Sequence, residues 1–143
     1  MTASSIMSAE LETLFSDCRA GRVDAVLAQM DRVGGMGARS PEGWTPLIVA
    51  SYHGHLELAR ALIERGADVN AVNRKGTSVL MFAKSAALRD GNFAVMDLLL
   101  AAGADVFHRD RFGRDIEDYA RELQSPALVR FIVEVKAKAN TQS

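Results

Sequence analysis

The sequence predicts an all-α solenoid of four helix-turn-helix units, about eight helices in all, in which the two terminal units are degenerate caps. The first observation behind this prediction is a period. Segment 43–47 (GWTPL) returns 33 residues later as 76–80 (GTSVL), and segment 66–69 (GADV) returns unchanged 37 residues later at 103–106. Repetition at this spacing is typical of stacked repeat units. The second observation is that helix-starting and helix-ending residues recur with the same period.

The first helix of each unit is marked at both ends. Thr45 is a suitable N-cap, and Pro46 suits the first helical position because the N–H that proline lacks has no helical partner there. Ser78 and Asp115 stand at the matching cap positions of the next two units. Gly54 is expected to end the helix that begins at Pro46, since glycine adopts the left-handed conformation at low cost.

The second helix of each unit shows apolar residues at helical spacing. In the second unit this stripe ends at Gly66, and in the last unit Ser125 and Pro126 supply another cap followed by proline. The stripes consist of Leu56, Leu58, Ala59, Leu62 and Ile63, then of Val95, Leu98, Leu99 and Leu100, and finally of Leu128, Val129, Phe131 and Ile132.

The period also predicts where the units begin. Counting back 33 residues from Gly54 reaches Gly21, so a degenerate first unit precedes the clear ones, and a last unit begins near Gly113. We therefore predict a repeat domain over residues 9–136 between two short tails. Its units are 9–39, 40–72, 73–109 and 110–136, and the tails are 1–8 and 137–143.

The best-preserved segments resemble the ankyrin repeat. They are GWTPL at 43–47, the Gly54–His55 pair, and GADVNA at 66–71. The resemblance covers roughly residues 9–135, nearly the whole chain, and suggests a small stand-alone member of that family. It implies helix pairs with projecting loops, and a chain that binds other proteins through its loop tips and the concave face of its inner helices.

The sequence departs from the family pattern at several places. Ile48 and Met81 replace a histidine whose hydrogen bonds are therefore in question, and Glu117 replaces a core leucine, which predicts a solvent-facing terminal helix. Segment 33–40 (VGGMGARS) replaces the usual turn of the first unit, and we expect it to be irregular. The residues at 86–90 (AALRD) lengthen the first helix of the third unit or its turn, either as a binding element or as drift without function.

Composition narrows the classes of function. The formal net charge is −1, so any recognition by charge must come from local patches. Cys18 is the only cysteine, which excludes an internal disulfide and favours a reducing compartment. The sequence shows neither a signal peptide pattern nor an apolar run long enough to span a bilayer. We therefore expect a cytoplasmic monomer that does not associate with membranes.

Two groups of residues are candidates for binding a partner. Trp44 and Tyr52 are candidate aromatic anchors for a partner. The alternative for Trp44 is that its ring packs against the neighbouring loop. If consecutive loops lie side by side, the cations of two loop tips form a basic strip that contains Phe112. This strip either attracts an acidic partner or is ordinary solvated charge, which Asp110 and Asp115 partly neutralise. The candidate contacts are Glu42, Trp44, Tyr52, His53, Arg74, Lys75, Arg111, Phe112 and Arg114, and Arg109 also belongs to the strip.

The sequence offers no set of residues for catalysis. No carboxylate or cysteine cluster accompanies His53, His55 and His108, so we expect no metal site, and two of these histidines are only two residues apart and cannot share a helix face. Segment 34–37 (GGMG) lacks the Lys-Ser/Thr ending of a phosphate loop. We predict no enzyme and no cofactor, but a module that binds a protein. One alternative is that the chain binds nucleic acid or another acidic molecule through its basic tips, and the net charge disfavours nucleic acid. Another is that the chain is an inhibitor or regulatory subunit of an enzyme.

Overall fold

A computed structural model describes residues 3–30 and 37–141 of the chain. Over these residues it contains eight α-helices in four successive pairs, which confirms the predicted all-α repeat architecture. An isolated antiparallel bridge between Val72 and Ser78 closes the base of one loop. The helices are α1 (Ala3–Ala20), α2 (Val23–Met30), α3 (Pro46–His53), α4 (Leu56–Glu64), α5 (Val79–Asp90), α6 (Ala94–Ala101), α7 (Ile116–Glu122) and α8 (Pro126–Thr141).

The first helices of the last three units, α3, α5 and α7, begin at the predicted caps. The hydroxyl of Thr45 accepts a hydrogen bond from the backbone N–H of Ile48 at 3.2 Å, and that of Ser78 accepts one from Met81 N–H at 3.3 Å. Asp115 begins α7 with a capping box, because its carboxylate accepts from the N–H of Asp118 at 2.9 Å and the Asp118 carboxylate accepts from Asp115 N–H at 3.0 Å. One polar side chain therefore starts each of these helices, whatever its chemical type.

The core lies between two layers of helices. In the inner layer α3 packs between α1 and α5, and in the outer layer α4 packs between α2 and α6. Ile48 and Met81, which replace the family's histidine, are completely or almost completely buried. Their backbone N–H groups keep the bonds to the Thr45 and Ser78 hydroxyls, so this turn is held without the histidine. Burial of each such side chain contributes roughly 1.5–3 kcal/mol.

The extra residues of the third unit form one additional turn of helix. Helix α5 has 12 residues, whereas α3 has 8. The added turn packs against the end of α3: a Cβ placed on Gly54 would lie 2.9 Å from the Cβ of Ala86, and Arg89 donates to the carbonyl of His53 at 3.1 Å. Gly54 itself ends α3 in the left-handed conformation, with φ of 76°. The insertion therefore extends the contact between the second and third units.

The two ends of the domain are helical. Helix α1 begins at Ala3 and α8 ends at Thr141, so helix extends past the predicted domain limits of 9–136, which stay a prediction. Half of the segment 33–40, which we expected to be irregular, lies outside the described residues, and residues 38–40 in the described half belong to no helix or strand.

Glu117 is less exposed than a position on a solvent-facing helix predicts. Its side chain is only 23% exposed, and it accepts from Lys136 of α8 at 3.0 Å and from Arg121 at 2.8 Å. Lys136 also donates to the Asp115 carboxylate at 2.7 Å. Burial raises the pKa of Asp115, but the bonds from Lys136 and from Asp118 N–H outweigh it, so the net shift is downward. Lys136 of α8 therefore forms an ion-paired contact between α7 and α8 at the position where the resemblance predicts a core leucine.

Candidate functional site

The loops that precede the inner helices share one construction. Asn73 accepts hydrogen bonds at its side-chain oxygen from the N–H groups of Lys75 at 2.9 Å and Thr77 at 3.0 Å. Asp110, 37 residues later, accepts from Phe112 N–H at 2.9 Å and from a second backbone N–H two residues further at 3.1 Å. A side-chain acceptor that binds the following N–H groups fixes a tight turn. The tips are therefore rigid platforms for the side chains they carry.

Consecutive loops lie side by side. The N–H of Arg111 donates to the carbonyl of Lys75 at 3.0 Å, and the Arg111 guanidinium donates to the carbonyl of Arg74 at 3.2 Å. One unit earlier, the Arg39 guanidinium donates to the carbonyls of Gly43 and Val72, both at 2.7 Å. The geometrical condition for a basic strip across two tips is thus met.

Three aromatic rings meet beside these tips. The ring centroid of Trp44 lies 4.9 Å from that of Phe82 and 5.7 Å from that of Tyr52. The centroids of Phe82 and Tyr52 are 6.1 Å apart. All three side chains are partly exposed. The ring of Trp44 therefore packs against Phe82 of helix α5 in the next unit, whereas the alternative drawn from the sequence was packing against the neighbouring loop, and part of the ring still faces solvent.

Trp44 lies between two shallow pockets. One, of about 500 Å³, is lined by Trp44, Phe82 and the residues of the adjacent loop, including Arg74 and Lys75. The other, of about 240 Å³, is lined by Trp44, Phe15 and Arg19. We call the surface formed by the larger pocket and the two neighbouring tips the loop face. It comprises Glu42, Trp44, Arg74, Lys75, Phe82, Arg111 and Phe112.

The cations of the strip differ in their partners. Arg74 and Lys75 are exposed and make no ion pair with any residue that the structure describes. Arg109 donates to the carbonyl of Gly113 at 2.7 Å, and its guanidinium lies 3.8 Å from the Asp118 carboxylate. One cation of the strip expected from the sequence therefore has a carboxylate as a neighbour, in an exposed pair.

Arg114 also has a carboxylate close to its guanidinium. Its guanidinium lies 2.5 Å from the Glu122 carboxylate and 5.1 Å from the centre of the Tyr119 ring. Phe112, by contrast, is 70% exposed at the last tip, although it is a large apolar residue. The cations of the strip that form no ion pair within the described residues are Arg74, Lys75 and Arg111, with Phe112 at the end of the strip.

Glu42 stands at the opposite edge of the loop face. It is exposed, and its pKa is lowered by a hydrogen bond from Ser40, by its own backbone N–H, and by the charges of Arg19 and Arg74. The carboxylate is therefore ionised well below neutral pH. It gives this edge of the larger pocket the opposite charge to the edge that Lys75 forms.

His53 lies beside the aromatic cluster and close to His55. Its ring is 5.0 Å from that of Tyr52 and 6.0 Å from that of His55, with the two imidazoles stacked. Two residues apart they share no helix face, but the left-handed turn at Gly54 between them brings their rings together, which the sequence reasoning missed. Burial lowers the pKa of His53, and the charges of His55 and Arg89 lower it further.

The structure adds a cluster that the sequence reasoning did not find. Lys84 donates to the carbonyl of Met81 at 3.0 Å, and its ammonium lies 5.2 Å from the centre of the Tyr119 ring. The hydroxyl of Tyr119 donates to Asp110, a bond that raises the pKa of Tyr119 to about 12. Burial lowers the pKa of Lys84, although Asp110 acts in the opposite direction.

The spacing of the repeats could have identified Phe82, Tyr119 and Lys84 from the sequence. Val49, Phe82 and Tyr119 are separated by 33 and 37 residues, the same offsets that relate the caps, so they occupy one position on helices α3, α5 and α7. Lys84 stands where α3 has Ser51. Extending the register from the caps to the rest of each inner helix would have placed Phe82 and Tyr119 on the same surface as the loop tips.

Histidine, acidic and thiol side chains are the remaining candidates for a chemical site. Among the described residues, no three histidine, cysteine, aspartate or glutamate side chains are arranged to hold a metal ion. Cys18 is fully buried in α1, and burial raises the pKa of its thiol to about 12. In the part of the chain that the structure covers, no helix has the length and apolar character needed to cross a membrane.

Comparison with known proteins agrees with the architecture. The family model described as ankyrin repeats (3 copies) matches residues 14–110. Mouse ankyrin repeat and SAM domain-containing protein 6 is 43% identical over 102 residues, which are 69% of this chain and 11% of the relative. Human ankyrin repeat and KH domain-containing protein 1 is 36% identical over 99 residues, which are 67% of this chain and 4% of the relative.

A third relative is also matched over only a small share of its own length. The Caenorhabditis elegans homologue of ankyrin repeat and LEM domain-containing protein 1 is 34% identical over 96 residues, which are 67% of this chain and 12% of the relative. The chain thus spans about an eighth or less of the length of these relatives. The likeness covers the repeats and leaves the rest of each relative without a counterpart here. Because the family model for ankyrin repeats matches more than half of its residues, the chain belongs to the ankyrin-repeat family.

Proposed function

We propose that the chain is a protein-binding module whose contacts lie on the loop face, and that it acts by binding and not by catalysis. One observation carries the proposal. The Trp44–Phe82 pair, with rings 4.9 Å apart and partly exposed, lines the larger pocket together with the exposed cations Arg74 and Lys75. Aromatic and arginine side chains supply most hot spots of protein interfaces.

Rigidity supports the same proposal. The tips are held by side-chain acceptors within each loop and by backbone bonds between loops, such as Arg111 N–H to Lys75 O at 3.0 Å. A surface that is ordered before it binds loses less conformational entropy on association. Docking therefore requires no rearrangement of the helices, and a specific complex would bury roughly 800 Å² on each partner.

The test is quantitative capture from a cell lysate with three immobilised forms of the chain. They are the unmodified protein, the double variant Trp44→Ala with Lys75→Glu, and the control Arg65→Glu, which reverses an exposed charge at the end of the outer helix α4. We expect the double variant to retain about a tenth or less of the specifically captured protein, since losing one hot spot costs ~2 kcal/mol. The control should capture as the unmodified protein does.

Thermal unfolding followed by circular dichroism checks that all three forms are folded at the capture temperature. If the folded double variant captures the same proteins in the same amounts, the loop face is not the binding surface. An inhibitor or regulatory subunit of an enzyme would use the same contacts, and the identity of the captured proteins decides whether this narrower role applies.

A further inference from the structure

We propose that the loop face takes an acidic peptide segment that also carries one aromatic or large aliphatic side chain. The apolar side chain would enter the larger pocket, and the carboxylates would lie along the tips toward Arg111 and Phe112. This inference rests on the proposed binding function and adds the chemical class of the partner and the direction in which it lies.

The distribution of charge supports an acidic partner. The formal net charge of the chain is −1, yet Arg74, Lys75 and Arg111 lie on adjoining tips with no carboxylate bound to any of them within the described ranges. Arg111 donates to the carbonyl of Arg74, which orients its guanidinium but leaves its charge in place. Three like charges on neighbouring tips repel one another, and carboxylates on a partner would remove that repulsion.

Ion pairs account for several other cations but not for these three. Arg60 lies 2.7 Å from Glu57, and Arg114 lies 2.5 Å from Glu122. Other exposed cations, Arg65 at the end of α4 and Arg130 and Lys138 of α8, also have no ion pair within the described residues. The three cations of the tips differ from those in that they adjoin one another beside partly exposed aromatic rings.

The pocket determines where the apolar side chain lies. Its volume of about 500 Å³ can hold one large side chain, and Trp44 and Phe82 offer it two partly exposed rings. Glu42 lines the same pocket, and its negative charge repels a carboxylate at that edge. The acidic residues must therefore lie on the other side, over Lys75 and Arg111, and the exposed ring of Phe112 extends the apolar contact at the far end.

A polynucleotide fits this surface less well than a peptide. A strand of phosphates needs a continuous line of cations, because each neutralised phosphate contributes to affinity. Here Glu42 interrupts one edge, and the guanidinium groups of Arg109 and Arg114 at the other edge lie near Asp118 and Glu122. An acidic peptide needs only a few charges beside one pocket, which is what the loop face provides.

The experiment selects binders from a displayed library of random peptides with the full chain as bait. The variants are Arg74→Glu with Lys75→Glu, Phe82→Ala, and the control Arg65→Glu. With the unmodified protein we expect Asp and Glu to be enriched over the input library beside one aromatic or large aliphatic residue. The charge-reversed double variant should shift the enrichment toward Lys and Arg, and the control should select as the unmodified protein does.

Direct binding of one selected acidic peptide, measured by fluorescence anisotropy, completes the test. Its affinity should fall about tenfold or more with the double reversal, since two reversed charge pairs together are worth ~1.4 kcal/mol or more. It should also fall between ~0.05 M and ~0.5 M salt, where screening becomes strong. Phe82→Ala should weaken it at all salt concentrations, because it removes a wall of the pocket.

Three results would overturn the inference. If the selected peptides lose binding with Phe82→Ala but show no acidic bias, the loop face binds peptides of another class and the proposed binding function survives. If no peptide is enriched, the partner is not an acidic linear segment, and the lysate capture alone decides the binding function. If a single-stranded oligonucleotide binds more tightly than the best acidic peptide and loses binding with the double reversal, the face is a nucleic-acid site.

Discussion

Replacing Ser51 by alanine should stabilise the protein. The Ser51 side chain is completely buried in α3, and its hydroxyl has no hydrogen-bond partner among the residues that the structure describes. A buried hydroxyl without a partner costs roughly 1–3 kcal/mol, and alanine is about 0.5 kcal/mol better than serine inside a helix. Lost packing around the missing oxygen offsets part of this gain. We therefore expect the free energy of unfolding to rise by about 1–2 kcal/mol and Tm by about 3–8 °C.

The assay is urea unfolding followed by far-ultraviolet circular dichroism. The matched control is Ser85→Ala in α5, where the side chain is partly exposed and only the helix-propensity gain of about 0.5 kcal/mol applies. The denaturant dependence m should stay the same in both variants, because neither changes the surface exposed on unfolding. The reasoning fails if Ser51→Ala gains no more than Ser85→Ala, since the buried hydroxyl would then cost nothing.

Two further predictions concern the loops and their carboxylates. Gly76 and Gly113 have φ of 76° and 74°, so alanine at either should cost about 1–2 kcal/mol. At Gly76 the new Cβ would lie 3.1 Å from the backbone N of Arg111, whereas at Gly113 it would meet no atom within 4 Å. Urea unfolding should therefore show the larger loss of stability for the Gly76 variant. Equal losses of stability would mean that the tips are not tightly packed. The pKa of Asp17 is lowered by bonds from neighbouring side chains, and that of Asp110 by bonds that outweigh its burial. Both therefore stabilise the fold above about pH 4 and lose that contribution as the pH falls through their folded-state pKa. The urea midpoint should drop between pH 6 and pH 3, less so in Asp110→Asn, and a constant midpoint would contradict this.

The fold could be predicted because its signals are local. Thr45, Ser78 and Asp115 each bond an N–H three residues further along the same chain segment, so a cap can be recognised without knowing what packs around it. The change of the repeat offset from 33 to 37 residues was equally informative. Four extra residues are close to one helical turn, so the helix could lengthen without rotating its apolar stripe away from the core.

The partners of the charged side chains could not be predicted in the same way. Arg109 and Arg114 belong to the same loop cluster in sequence as Arg111, yet they face Asp118 and Glu122, whereas Arg111 donates to Arg74 O. Which of them meets a carboxylate depends on distances of a few ångströms between units. The period gives the order of the units but not those distances, so the strip expected from the sequence had too many uncompensated cations.

The position of each unit explains which charges stay uncompensated. In α7 the residues 117, 118 and 122 are acidic and serve Lys136, Arg109 and Arg114. The matching positions of α5, 37 residues earlier, are Leu80, Met81 and Ser85, of which the first two are buried and the third is partly exposed. None of them carries a carboxylate, so α5 offers no ion-pair partner at these positions to the loop that precedes it. Arg74 and Lys75 are therefore left without an ion pair among the described residues, although the charge of Arg74 lowers the pKa of Glu42. We take their position on the tip beside Phe82 and Trp44 as support for the proposed binding role of the loop face.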